Sequence, residues 1–209
     1  YEQTTFNRIN RCTIYANARR WFLKFAGDRA VCRVSDAKEM CDGSVYLWHD
    51  GRIRFSDNRR TKGCCGKMDG VKGKLKVIVH VGGMSQVQCA ELAAHAQAIG
   101  ADMIAAMAPC FFKPGSVDEL IGFFKPIAAS ASRLPFYYYN MPSITGVSLP
   151  VHKFLIEGKK QIPNLVGVKF THNNLMEMQQ CIHADGGAFE VLHGFDEILI
   201  TGLSVGAKA

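Results

Sequence analysis

The chain has 209 residues, a mass of 23.1 kDa and a formal net charge of +7, which is room for one ordinary domain or two small ones. Hydrophobic residues make up 48% of it and charged residues 21%. This composition excludes a disordered tail, a collagen-like repeat and a coiled coil. No run of about 18 uncharged apolar residues occurs, so no membrane-spanning helix is expected.

The amino terminus and the cysteines predict a cytoplasmic protein. The chain starts at Tyr1 without a basic-then-apolar signal pattern. Its eight cysteines contain no Cys-x-x-Cys pair. Reduced thiols are therefore expected rather than a zinc site or a disulfide framework.

Positive charge is concentrated at the amino-terminal end. Residues 1–73 hold 15 lysines and arginines against 8 acidic residues, whereas residues 74–209 hold 10 of each. Such a segment favours nucleic-acid binding, but its arginines follow no helical face and no nucleic-acid-binding motif surrounds them. The pattern divides the chain into an anomalous basic segment, 1–73, and a regular domain, 74–209.

Five strand–helix units follow one another in the regular domain. Strands are predicted at 76–81, 103–108, 135–139, 165–170 and 189–193, and helices at 86–99, 117–129, around 151–157, 175–183 and 196–205. Ser85 is the predicted cap of the first helix. Alternation of this kind predicts an α/β fold with parallel strands. This alternation is compatible with an open doubly wound sheet and with an eight-fold barrel. A full barrel takes about 250 residues, so five units would form only part of one.

Lys169 is the first candidate for chemistry. It lies late in an apolar predicted strand that reads Val-Gly-Val-Lys-Phe-Thr. Burial disfavours a charged amine and lowers its pKa, and a neutral amine at the carboxyl end of a strand suits Schiff-base formation with a keto group. The alternative is a lysine that extends to solvent from the strand end.

Three consecutive tyrosines end the preceding strand. Alternation directs Tyr137 and Tyr139 to one face of the sheet and Tyr138 to the other. A phenol beside a Schiff base relays a proton. The simpler interpretation is aromatic packing with hydrogen-bonded hydroxyls.

Polar residues also follow the last predicted strand. Segment 194–197 reads Gly-Phe-Asp-Glu. Its carboxylates either cap the next helix or accept hydrogen bonds from a polyhydroxylated ligand. His80 and His193 lie in or at the end of apolar strands, where packed, hydrogen-bonded histidines are expected. No nucleophile elbow, phosphate-binding loop or metal motif occurs.

Five segments together resemble the N-acetylneuraminate lyase family, over about residues 73–206 in unbroken order. They are 77–83, 108–114, 135–142 with Thr145-Gly146, 167–171 and 194–197. The Tyr-Tyr-Tyr-Asn-Met-Pro and Gly-Val-Lys-Phe-Thr segments are typical of pyruvate-dependent class I aldolases, which include dihydrodipicolinate synthase. The Gly-Phe-Asp-Glu segment favours the sialic-acid branch.

The resemblance implies a (β/α)₈ barrel, present here as about its third to seventh units. It also implies reversible cleavage of N-acetylneuraminate to N-acetylmannosamine and pyruvate, without a metal or dissociable cofactor. Lys169 would form the Schiff base and Tyr139 would shuttle the proton. The implied sugar contacts are Thr171, Gly194, Asp196 and Glu197.

The resemblance implies a homo-oligomer, a tetramer in an intact relative, with no nucleic-acid or membrane partner. Three alternatives stay open: a related pyruvate aldolase acting on another aldehyde such as aspartate semialdehyde, a non-catalytic fragment, and a nucleic-acid binder. The binder would use Arg19, Arg20, Arg52, Arg54, Arg59 and Arg60.

The chain departs from the family in two places. The family's Gly-Thr-Thr-Gly-Glu loop, which holds the pyruvate carboxylate, is missing, and the family's eighth strand has no counterpart here. Permitted codons for Leu47–Arg54 read Cys-Gly-Thr-Thr-Gly-Glu-Phe in the next frame. We therefore hypothesise that roughly 41–70 is a frame-shifted translation. The chain as written is expected to be a weak enzyme or none, and monomeric or aggregated.

Overall fold

The computed structural model describes four short amino-terminal segments and then residues 76–207 continuously. In the four segments, and at positions 76, 77 and 196, it describes the backbone alone. The predicted boundary between residues 73 and 74 lies outside the described residues.

The described residues form one nine-stranded sheet whose spatial order follows the chain. Its strands are β1 (Cys12–Asn17), β2 (Arg20–Phe25), β3 (Ala30–Val34), β4 (Ser44–His49), β5 (Lys76–His80), β6 (Met103–Met107), β7 (Phe136–Asn140), β8 (Leu165–Phe170) and β9 (Glu190–His193). Pairs from β1 to β4 are antiparallel. Every pair from β4 to β9 is parallel.

Helices connect the parallel strands from β5 to β9, and a last helix follows β9. They are α1 (Gln86–Ala98), α2 (Val117–Ala129), α3 (Pro142–Thr145), α4 (Val151–Gln161), α5 (Leu175–His183) and α6 (Leu199–Ser204). None of the helices in the described ranges is long and apolar enough to cross a membrane.

Side-chain caps determine where the long helices begin. Ser85 Oγ accepts a hydrogen bond from the Gln88 amide at 3.4 Å, as predicted for α1. Ser116 caps α2 in the same way, through the Glu119 amide at 3.2 Å. The Glu119 carboxylate accepts from the amide of Gly115, the residue before the cap, at 2.8 Å, which ties the chain entering the helix to its first turn.

Two predicted helices need correction, and four strands were not predicted. The helix predicted around 151–157 continues to Gln161, where Lys159 Nζ donates to the Pro163 and Leu165 carbonyls at 2.9 Å each. The helix predicted at 196–205 is divided into a 3₁₀ turn, Asp196–Ile198, and α6. The four amino-terminal strands had no counterpart in the prediction.

The two faces of the sheet differ as strand alternation predicts. Tyr138 lies among the helices, with its ring 5.4 Å from that of Phe124 and 4.9 Å from that of Phe154. Tyr137 packs on the opposite face with Ile78 and Ala105. The large core therefore lies between sheet and helices, and a smaller cluster lines the inner face. This is the α/β architecture of part of a (β/α)₈ barrel.

Candidate active site

The carboxyl ends of β7, β8 and β9 meet at one rim of the sheet. Tyr139 pairs with Lys169 in the β7–β8 register. The ladder continues past both strand ends, because the Thr171 amide donates to the Asn140 carbonyl at 2.9 Å and the Gly194 amide donates to the Phe170 carbonyl at 2.8 Å. These bonds bring Thr171 and Gly194 beside each other at the rim.

Lys169 is buried rather than extended to solvent. It is 6% exposed, and its Nζ lies 4.3 Å from the centroid of the Tyr139 ring. An ammonium at this distance from an aromatic ring is stabilised by the ring's quadrupole. The two residues predicted to carry the chemistry are therefore in contact on the inner face.

Gly194 provides the space that Thr171 and Lys169 occupy. A Cβ atom at position 194 would overlap Thr171 Oγ1 and would lie 3.0 Å from Lys169 Cε. Thr171 Oγ1 is buried and has no hydrogen-bond partner within the described part of the chain. Because buried hydroxyls are normally satisfied, this oxygen is suited to bind a ligand.

The acidic residues lie farther along the same rim. The backbone of Asp196 begins the 3₁₀ turn after Gly194, and Glu197 is exposed in that turn. The structure thus brings Lys169, Tyr139 and Thr171 together with Gly194. The two acidic residues, Asp196 and Glu197, follow Gly194 closely in the chain.

His80 belongs to the same cluster, although the sequence indicated only a packed histidine. Its ring centroid lies 5.8 Å from that of Tyr139, with the planes at 85°. Burial, and secondarily the positive charge of Lys169, lower the pKa of His80 to about 3. The signal available in the sequence was its inward position at the carboxyl end of β5.

The orientations of Tyr138 and Tyr137 exclude them from the proton-shuttling role that the resemblance implies for Tyr139. Tyr138 faces the helices, and burial together with the charge of Glu177 raises its pKa. Tyr137 donates a hydrogen bond to the Glu190 carboxylate. Tyr137 and Glu190 both pair with Gly167 in the strand register. A Cβ atom at Gly167 would overlap the Glu190 backbone, so the glycine lets β8 and β9 approach closely.

The remaining predictions concern metal sites, cysteines, the carboxylate-binding loop and the basic arginines, and the structure describes only some of these residues. Among the described residues, no three His, Cys, Asp or Glu side chains are grouped so that they could hold a metal ion. Cys89, Cys110 and Cys181 are free thiols; the other five cysteine side chains lie outside the described part. So do 50–75, where the carboxylate-binding loop would be expected, and the arginine side chains of the predicted nucleic-acid binder.

Residues 64–209 match the dihydrodipicolinate synthetase family. The chain belongs to this family. The match covers all the parallel strands from β5 to β9 and the residues of the site.

Proteins similar to this member of the family include sialic-acid aldolases. The chain is 47% identical to N-acetylneuraminate lyase from Gallus gallus over 139 residues, which are 66% of this chain and 45% of that protein. It is 39% identical, with a TM-score of 0.75, to the solved N-acetylneuraminate lyase of Aliivibrio salmonicida, covering 78% of this chain and 55% of that one. A catalytic lysine mutant of the Ruminococcus gnavus sialic acid aldolase is 28% identical, with a TM-score of 0.72, over 78% of this chain and 53% of that one. The chain therefore spans about half the length of these relatives.

Proposed function

We propose that this protein is a class I aldolase of the N-acetylneuraminate lyase type, which reversibly cleaves N-acetylneuraminate to N-acetylmannosamine and pyruvate. The observation that carries the proposal is the buried Lys169 amine, 4.3 Å from the Tyr139 ring centroid. The names of the Gallus gallus and Aliivibrio salmonicida relatives support it. So does the existence of a catalytic lysine in the Ruminococcus gnavus enzyme.

The chemistry follows from the two side chains. The Lys169 amine adds to the C2 keto carbon of the open-chain sugar, and loss of water leaves an iminium that accepts electrons. Tyr139 takes the proton of the C4 hydroxyl while the C3–C4 bond breaks, which releases N-acetylmannosamine. Protonation of the enamine and hydrolysis of the imine then release pyruvate and restore the amine.

Borohydride trapping tests the covalent step. Reduction in the presence of pyruvate should add one reduced pyruvate to a peptide that contains Lys169, because borohydride converts the imine to a stable amine. Lys169→Ala should abolish the label in mass spectrometry. Lys159→Ala is the matched control, since Lys159 is an exposed lysine whose Nζ donates to main-chain carbonyls away from the site. Labelling that survives Lys169→Ala would refute the assignment.

Labelling from different substrates distinguishes the proposed lyase from the related aldolases. Incubation with N-acetylneuraminate should leave the same pyruvate adduct on Lys169, because cleavage leaves the enamine of pyruvate on the lysine. Glu197→Ala should weaken labelling from N-acetylneuraminate about tenfold, the usual effect of losing one hydrogen bond to a charged group. Labelling from pyruvate should not change. Labelling with pyruvate, no adduct from N-acetylneuraminate, and turnover with aspartate semialdehyde would favour the related aldolase.

A cytoplasmic location is part of the proposal, and so is self-association of the chain, which corresponds to the homo-oligomer expected of an intact relative. Free thiols at Cys89, Cys110 and Cys181 support a reducing compartment. Phe111 and Phe112, which are 72% and 82% exposed after β6, support self-association because adjacent exposed aromatics mark contact surfaces. Light scattering should show a smaller species for the Phe111→Ser/Phe112→Ser variant than for the unchanged chain. Equal masses would remove this surface from the proposal.

A further inference from the structure

His80 reaches Tyr139 across a strand that carries a small side chain. His80 lies on β5 and Tyr139 on β7, and Ala105 of the intervening β6 pairs with His80. Because Ala105 presents only a methyl group to the inner face, the imidazole can extend over β6 towards the tyrosine. The contact is edge-on, with ring planes at 85° and centroids 5.8 Å apart, a favourable arrangement for two aromatic rings.

The imidazole is confined on its other side by Gly82. A Cβ atom at position 82 would lie 3.0 Å from His80 Cε1 and Nε2, and 2.7 Å from the Met107 amide nitrogen. Both ring nitrogens of His80 are shielded from solvent. The ring of His80 therefore packs against the Gly82 backbone, in the space that a side chain at position 82 would occupy.

Tyr139 is thus contacted by two side chains, Lys169 over its ring face and His80 edge-on. We infer that His80 is a positioning residue for Tyr139: it holds the phenol ring in the orientation from which its oxygen serves the substrate bound at Lys169. The expected effect of His80 on reaction rates rests on the proposed function. Its expected effect on the orientation of the Tyr139 ring does not. The lowered pKa of His80 agrees with it, since a neutral imidazole adds no repulsion to the Lys169 ammonium.

The orientation of Tyr139 is tested by fluorine NMR of protein that contains 3-fluorotyrosine. The resonance lost in Tyr139→Phe identifies Tyr139 among the six tyrosines. His80→Ala should shift this resonance and change its line width, because the ring is released to reorient. His80→Phe keeps an aromatic edge and should restore a single resonance near the original shift, whereas His80→Asn, which is polar without a ring, should not.

His193→Ala is the matched control for the loss of a shielded imidazole. His193 is at the end of β9, and its ring packs against Gly202 of α6. Its neighbour Leu192 packs on the inner face with Tyr137, so alternation directs His193 to the opposite, helix-facing side of the sheet. This variant should leave the Tyr139 resonance in place. An unchanged Tyr139 resonance in both His80→Ala and His80→Asn would overturn the inference. If His80→Ala is unfolded by circular dichroism, the comparison of His80→Phe with His80→Asn decides the question.

A double-mutant cycle on the rate of borohydride trapping with N-acetylneuraminate gives the kinetic test, because Tyr139 acts in the C3–C4 cleavage that leaves the pyruvate adduct on Lys169. His80→Ala should slow trapping about tenfold and His80→Phe by less than about twofold. In the Tyr139→Phe background, His80→Ala should slow it no further, because a positioning residue acts only through the residue it positions. Independent, multiplying effects would overturn the inference while leaving the Lys169 chemistry intact. Absence of any label in the unchanged protein would instead refute the proposed function, and the NMR result would still decide the role of His80.

Discussion

Gly194 shows how the site depends on a single missing methyl group. Its φ is not in the left-handed region, so the requirement for glycine comes from space and not from backbone strain. Thr171 Oγ1 and Lys169 Cε occupy the volume that a Cβ atom would need. The geometry of the reactive amine is therefore coupled to a residue with no functional group of its own.

Gly194→Ala is expected to lower the rate of pyruvate trapping at Lys169 at least tenfold, since displacement of a reacting group by about 1 Å costs about a hundredfold in rate. The measurement is the rate of labelling in mass spectrometry. Gly122→Ala is the control, because nothing lies within 4 Å of a Cβ at that exposed position of α2. It should label normally and gain about 0.5–1 kcal/mol of stability. Equal rates for the two alanine variants would contradict the steric argument.

His80 predicts how stability depends on pH. The folded-state pKa of His80 is about 3, below its ordinary value of 6.5. Between these two pH values the unfolded chain therefore binds a proton at His80 and the folded chain does not. This stabilisation is complete above pH 6.5 and is lost as the pH falls towards 3, by about 1.4 kcal/mol for each pH unit.

Urea unfolding at pH 7 and pH 5 measures this dependence. The unchanged protein should lose more stability between the two values than His80→Phe, which has no titrating ring at this position. Parallel losses in the two proteins would show that His80 does not bind its proton more weakly in the folded state.

Asn164 shows how one side chain joins elements together. Its Nδ2 donates to the carbonyls of Ala128 and Ala131 at 3.2 Å each and of Leu134 at 2.8 Å. The first of these carbonyls belongs to α2, and the others lie in the connection that leads to β7. The amide thus holds the end of a helix against the start of β8.

Asn164→Ala is expected to destabilise the protein by about 2 kcal/mol, because it leaves half-buried carbonyls without their donor. Asn164→Asp should cost at least as much, since a carboxylate cannot donate to them. The exposed Asn173→Ala is the matched control and should change stability by less than about 0.5 kcal/mol. Denaturant unfolding followed by circular dichroism measures all three. An unchanged free energy of unfolding in Asn164→Ala would show that water replaces the amide as donor.

At the scale of the whole molecule, the two parts of the chain differ in their relation to the family. The family match begins at residue 64 and continues to residue 209, so residues 64–73 of the basic segment lie inside it and residues 1–63 lie outside it. Because residues 64–70 match the family in the printed frame, the hypothesis of a frame-shifted translation over 41–70 is restricted to about 41–63. We propose this frame shift because permitted codons for 47–54 read the Gly-Thr-Thr-Gly-Glu loop in the next frame.

Replacing residues 47–54 by the alternate-frame sequence Cys-Gly-Thr-Thr-Gly-Glu-Phe is expected to lower the pyruvate concentration for half-maximal trapping about tenfold or more. The restored loop would supply hydroxyl and amide donors to the pyruvate carboxylate. Sequencing of the transcript is the independent check. A message that encodes Trp48-His49-Asp50 in frame, together with unchanged pyruvate affinity in the replaced chain, would contradict the proposal.

The sequence by itself determined the parallel part of the fold. Apolar β-branched runs, the Ser85 helix cap and regular spacing are local signals. The elements β8, α2 and α5 begin and end where they were predicted. The alternation of Tyr137, Tyr138 and Tyr139 also followed from local geometry, because successive residues of a strand must face opposite sides.

Tertiary structure decided what local signals do not contain. The extension of α4 depends on bonds from Lys159 to carbonyls that lie beyond the helix. The choice between a buried and a solvent-reaching Lys169 depended on its neighbours in space. His80 lies 59 positions from Tyr139 in the chain, and their contact depends on the small Ala105 between their strands. Contacts between residues far apart in sequence arise from the strand register and from the volumes of intervening side chains, and the periodicity of a single segment specifies neither.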